Sequence, residues 1–120
     1  MGVIGRYWAA VEGRAWDDLA ALLAEDVVYE LPQTRERVTG RDAYVRFNRE
    51  YPGDWHLTVD RVHEDAAGGA SWATFTVGGE TMPAVTFFRF GAGGSVTHVT
   101  EFWPEPYDPP PGREHLVERY

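Results

Sequence analysis

Apolar residues near the start of the chain recur at helical spacing: Val3, Ile4, Tyr7, Trp8 and Val11. That period predicts an amphipathic helix over residues 2–12, closed by Gly13. A second helix is expected to open near Ala15. It has Asp17 and Asp18 in its first turn, and Trp16, Leu19, Ala20 and Leu23 form its apolar stripe. The period then changes. Val27-Val28-Tyr29-Glu30-Leu31 is β-branched and aromatic and ends at Pro32, which predicts a short strand. Residues 33–38 read as a polar loop. Thr39, three residues before Asp42, resembles a helix start. Ala43, Tyr44, Phe47 and Tyr51 mark a third helix, stopped by Pro52-Gly53.

The rest alternates. Strands are predicted over residues 55–64, 70–77, 81–90 and 95–103, with turns at 65–69, Gly78-Gly79 and 91–94. Hairpin-linked strands make an antiparallel sheet, and three helices ahead of a curled sheet is an α+β layout. Pro104 ends the last strand. Residues 105–120 form a Pro-rich tail with a short final helix expected at 113–119. The whole reads as a single domain over residues 1–120, with its core in 1–104 and no internal repeat.

Composition narrows the function classes. Five Trp, six Tyr and six Phe in 120 residues suit a large core or a shaped pocket. The net charge of −8 argues against nucleic acid or an anionic membrane as partner, since both require clustered cations. All eleven cationic side chains are Arg. Without Cys there is no disulfide, thiolate nucleophile or zinc-thiolate site. No apolar run has the length of a membrane span, and the first residues lack a signal peptide's apolar core, so a cytoplasmic protein is expected.

Several segments resemble a known family. Arg6-Tyr7-Trp8-Ala9-Ala10, Asp17-Asp18 and Leu22-Leu23-Ala24-Glu25-Asp26-Val27 are similar to the opening of steroid Δ5-isomerases and SnoaL-type polyketide cyclases. Phe88-Arg89-Phe90-Gly91-Ala92-Gly93-Gly94-Ser95-Val96 resembles the isomerases' final hairpin. The resemblance covers about residues 3–103. It implies the nuclear-transport-factor-2-like, cystatin-like fold: a cone-like curved antiparallel sheet packed on three helices around an apolar pocket. Such a fold hosts many chemistries, so function has to be argued from the site.

Carried over residue by residue, the resemblance places the isomerases' tyrosine donor at Tyr7. Their aspartate base falls on Leu31, which cannot move a proton, and their second acid on Thr86, a weaker donor. The handling of that isomerase's acids is a standard example of environment setting pKa. Two of its three parts are absent here, which argues against steroid isomerase chemistry. The carboxylate that cyclases and limonene-epoxide hydrolases carry on the last strand falls on Glu101. The hydrolases' charged partners have no counterpart in residues 70–77. The cyclases, with one acid in an apolar cavity, resemble this chain better.

Alternation puts Thr97, Val99, Glu101 and Trp103 on one face of the last strand, and Val96, His98, Thr100 and Phe102 on the other. The pattern alone leaves the inner face open; the resemblance implies the Glu101 face. Buried beside Phe88, Val99 and Trp103, this carboxyl would be desolvated and could transfer protons near neutrality. The alternative is a strand glutamate facing water or paired with an Arg. Tyr29, Leu31, Tyr44, Phe47, Trp55, Leu57 and Phe75 either line the pocket or fill the core, as do Phe88 and Trp103. His56, His63, His98 and His115 show no metal-ligand spacing. Trp72, Phe87 and Phe102 fall on the opposite sheet face and suggest a covered surface: a homodimer through the sheet, or the tail folded over it.

The expectation is a small-molecule enzyme of the cyclase, isomerase or dehydratase kind. Its partner is a small hydrophobic oxygenated molecule. Glu101 transfers the proton, Tyr7 and Thr86 donate hydrogen bonds, and no metal or organic cofactor is implied. The alternatives are a ligand-binding domain without catalysis and a dimeric interaction module.

Overall fold

The computed structural model describes all 120 residues. Its order is α1 (Val3–Glu12), α2 (Trp16–Leu22), β1 (Leu23–Leu31), β2 (Glu36–Thr39), α3 (Arg41–Arg49), β3 (Trp55–Glu64), β4 (Gly68–Val77), β5 (Glu80–Phe90) and β6 (Val96–Phe102). One six-stranded sheet runs β2-β1-β6-β5-β4-β3. The pairs β3–β4, β4–β5, β5–β6 and β1–β2 are antiparallel, as hairpins and short returns require. β1–β6 is parallel, so the sheet is mixed and not wholly antiparallel. No helix is long and apolar enough to cross a membrane.

The helices lie against one face of the sheet. From α1, Ile4, Tyr7, Trp8 and Val11 are buried, following the 3.6-residue period. The N-terminus of α1 has no side-chain cap of its own. Glu64 at the end of β3 takes that role, accepting from the backbone N–H of Val3 (3.2 Å) and Ile4 (3.0 Å). Trp8 Nε1 donates to Ser71 Oγ on β4 at 2.9 Å, a second link between helix and sheet.

The inner faces of the central strands alternate as expected: Ser71, Ala73 and Phe75 on β4, and Ala84, Thr86 and Phe88 on β5, are all buried. Gly78 and Gly79 have φ of 56° and 84°, the left-handed pair a two-residue type I′ hairpin needs. Gly69 has a steric reason: a Cβ there would lie 2.2 Å from the His63 carbonyl oxygen.

Five local expectations are corrected. Leu23 is extended and begins β1, ahead of the strand start expected at Val27, because it pairs with Val96. Residues 36–39 form an edge strand on β1 where a loop was expected. Thr39 therefore sits in that strand, Gly40 is the N-cap of α3, and the helix stops at Arg49. The register shifts between Arg89 and Phe90, which turns Val96 inward beside Val99. The final helix shrinks to one 3-10 turn, Glu114–Leu116. Outside the sheet, Trp72 and Phe87 are 42% and 49% exposed, so the tail does not cover them.

Candidate functional site

A cavity of about 410 Å³ opens between the helices and the inner sheet face. Its walls come from distant parts of the chain. Tyr7, Trp8 and Val11 enter from α1, Tyr29 and Leu31 from β1, and Tyr44, Phe47 and Asn48 from α3. Trp55, Leu57, Ala73, Phe75 and Ala84 supply the β3–β5 side, and Glu101 and Trp103 the β6 side. Of the 21 lining residues, 14 are hydrophobic, so a ligand's polar atoms meet only a few groups.

Glu101 is the central group. It is 5% exposed and stands opposite Thr86 in the β5–β6 register. Tyr29 Oη donates to its Oε1 at 2.6 Å, and Thr86 Oγ1 donates to its Oε2 at 2.7 Å. Burial raises its pKa above the ordinary glutamate value; the hydrogen bonds from Tyr29 and Thr86, and the Trp103 side chain, oppose that rise without cancelling it. No cation pairs with it. The result is a carboxyl held by neutral donors in an apolar wall, a group that can give or take a proton.

A second polar feature faces it. The hydroxyls of Tyr7 and Tyr44 are hydrogen-bonded to each other inside the cavity. Burial pushes both phenol pKa values up, and the Tyr44 ring stacks on Tyr29 with centroids 4.5 Å apart. Two phenols carry two O–H donors, and their mutual bond uses one. Whichever hydroxyl donates internally, the other proton is left for a ligand oxygen. Asn48 Nδ2 donates to the Tyr44 carbonyl at 2.9 Å and fixes that end of α3.

The structure sorts the residues singled out from the sequence. Glu101, Tyr7, Tyr29, Leu31, Tyr44 and Phe47 line the cavity, as do Trp55, Leu57, Phe75 and Trp103. Phe88 and Val99 are buried in the core behind the wall. Thr86 also lies behind it, fully buried, with its one O–H directed at Glu101 and not into the cavity. Sequence reasoning missed the Tyr29 bond to Glu101 and the Tyr7–Tyr44 pair. Inward alternation of Val27, Tyr29 and Leu31 was the available signal for the first. It also missed the acidic rim, Glu36 and Glu105. The histidines do not converge: His56 pairs at the surface with Glu12 (2.9 Å) and Asp54 (3.3 Å), and no three His, Asp or Glu side chains meet where an ion could sit.

A mixed curved sheet, three helices over its inner face and an acid-bearing aromatic cavity between them define the nuclear-transport-factor-2-like α+β class. Within it, the SnoaL-like domain model matches residues 4–99, and the chain belongs to that family. A Kribbella flavida protein bearing a provisional ketosteroid isomerase name is 55% identical, with a TM-score of 0.92 over 98% of this chain and 87% of that one. An LEH-like epoxide hydrolase of M. tuberculosis is 18% identical, with a TM-score of 0.70 over 85% of this chain and 80% of its own. A Shewanella denitrificans protein provisionally named a SnoaL-like polyketide cyclase is 13% identical, with a TM-score of 0.74 over 85% and 88%. At those last two identities the likeness shows the fold alone. No curated protein matches the chain. Isomerases, cyclases and epoxide hydrolases thus appear among the names attached to this fold.

Proposed function

We propose that this protein is a small-molecule enzyme that moves protons on a hydrophobic, oxygenated substrate, in an isomerisation, cyclisation or dehydration. The observation that carries the reading is Glu101: a buried carboxyl at the cavity wall, raised in pKa by desolvation and unpaired with any cation. A structural glutamate of this burial would ordinarily be matched by an arginine or left out of a strand's inner face.

In the proposed reaction Glu101 removes a proton from carbon beside a substrate carbonyl and returns it to another atom of the same molecule. The spare O–H of the Tyr7–Tyr44 pair donates to the oxygen as charge develops there. Tyr29 and Thr86 hold the carboxyl and act as positioning residues. The aromatic walls exclude water, which strengthens each of these polar contacts.

The test is Glu101→Gln, which keeps the shape and removes the titratable carboxylate. Turnover of a cyclic enone or polyketide-like probe should fall by at least about 100-fold, with the fold intact. Undiminished turnover would end the assignment of the proton transfer to Glu101, and a wild-type protein that binds such probes without converting them would favour a binding domain.

The sheet's outer face supports a homodimer. Trp72 and Phe87 are large and exposed, and Phe102 meets Phe87 edge-on at 6.2 Å. Phe87→Glu should convert a dimer to a monomer in size-exclusion chromatography, and a wild-type protein already monomeric would contradict the pairing.

A further inference from the structure

The charged side chains that line the cavity are all of one sign. Glu101 lies within it, Glu36 and Glu105 border it, and none of its lining residues is Arg, Lys or His. The chain has eleven arginines, so the absence of cations is local to this surface. A bound carboxylate, phosphate or sulfate would face three acids and no counter-charge, across walls that screen poorly.

The same walls are built from π faces. Tyr29 stacks on Tyr44, Phe75 meets Trp103 at 4.9 Å, and Trp55 lies parallel to Phe75 at 5.9 Å. Aromatic faces attract cations, most of all where water is excluded. Trp55 shows this already: the Arg14 guanidinium lies 3.5 Å from its ring centroid, although Arg14 itself does not line the cavity.

Glu101 supplies the directional element. Each of its oxygens accepts one hydrogen bond, from Tyr29 and from Thr86. A carboxylate has about four lone-pair sites, so acceptor capacity remains. An N–H donor entering the cavity would use it and would also provide the opposite charge the buried acid lacks.

We propose that the cavity's ligand is a hydrophobic amine bound as its ammonium ion, with an N–H directed at Glu101 and its carbon groups against the aromatic walls. The proposal rests on the reading of the Glu101 cavity as the ligand site and narrows the substrate class to basic molecules. The rim acids Glu36 and Glu105 would concentrate such cations at the mouth.

The test uses three probes of nearly equal size: cyclohexylmethylamine, cyclohexylmethanol and cyclohexanecarboxylate. Affinity is read by quenching of the Trp8, Trp55 and Trp103 fluorescence and by calorimetry at neutral pH. The ammonium should bind about tenfold tighter than the alcohol, a step of ~1.4 kcal/mol, and the carboxylate should bind weakest. In Glu101→Gln the ammonium's advantage over the alcohol should vanish, with alcohol binding still measurable as the report of an intact pocket. An alcohol that matches the ammonium, a carboxylate that binds better than either, binding of none of the three, or a preference that survives in Glu101→Gln would each overturn the proposal. Turnover is not read here. The acid–base reading therefore falls only if Glu101→Gln keeps its activity, whatever the order of these affinities.

Discussion

Tyr29 Oη reaches Glu101 Oε1 at 2.6 Å across the one parallel strand pair in the sheet, β1–β6. In that register Tyr29 stands beside Val99, and Glu101 follows two residues later on the same face. The acid's environment is therefore assembled where the first strand of the chain meets the last. Tyr29 in turn stacks on Tyr44, whose hydroxyl pairs with Tyr7, so a single aromatic layer connects Glu101 with the Tyr7–Tyr44 hydroxyl pair.

Tyr29→Phe keeps the ring and its stack on Tyr44 but removes the donor. The Tyr29 bond favours the ionised carboxylate, so its loss should raise the Glu101 pKa further. Infrared titration of the buried carboxyl stretch would record the shift, and global stability should fall by about 1–2 kcal/mol. An unmoved titration would mean that the bond does not govern the acid.

Burial of Glu101 also makes stability depend on pH in a defined direction. Its folded pKa lies above the unfolded one, so the folded state holds the proton more tightly. That contribution is fully present below the ordinary glutamate pKa and is lost as pH rises through the raised folded value. Glu101→Gln has no such term. Urea midpoints from mildly acidic to mildly alkaline pH should show the variant gaining on the wild type as pH increases, with the gain levelling once the folded acid has ionised. A difference constant with pH would contradict the desolvated carboxyl.

The inner faces of β4 and β5 were legible in the sequence because unbroken strands preserve a period of two: Ser71, Ala73 and Phe75 alternate cleanly, as do Ala84, Thr86 and Phe88. Where a bulge enters, the period breaks. Asp60 is skipped between Val59 and Arg61, and the shift before Phe90 turns Val96 inward. β2 carried no signal, since Glu36-Arg37-Val38-Thr39 is an exposed edge strand with only Val38 half-buried. The site was legible in its residue types but not in its bonds. Tyr29 and Glu101 are 72 residues apart and Tyr7 and Tyr44 are 37 apart, separations over which no local pattern operates.

Glu64 provides a test of how α1 is anchored. Its carboxylate accepts from the N–H of Val3 and Ile4, at the positive end of the helix. Glu64→Ala should cost about 1 kcal/mol, and Glu64→Gln somewhat less, because the amide oxygen can still accept but brings no charge. Hydrogen exchange at Val3 and Ile4 would locate the loss in the first turn. Protection unchanged in both variants would show that the cap is not formed in solution.

The bond from Trp8 to Ser71 differs from that cap because both partners are buried, Trp8 at 6% and Ser71 at 4% exposure. Ser71→Ala leaves the indole N–H facing an apolar strand and should cost about 1–3 kcal/mol, the desolvation penalty of an unpaired donor. Trp8→Phe removes the donor and also opens space beside Tyr7 and Phe88, which meet Trp8 edge-on at 4.8 and 6.2 Å. That variant should be the less stable of the two. In the double variant no donor remains to be left unpaired, so its loss should be smaller than the sum of the single losses. Denaturant midpoints for the four proteins close the cycle. Strict additivity would mean that water entering from the cavity satisfies the indole once Ser71 is gone, and that the serine positions the helix no better than alanine does.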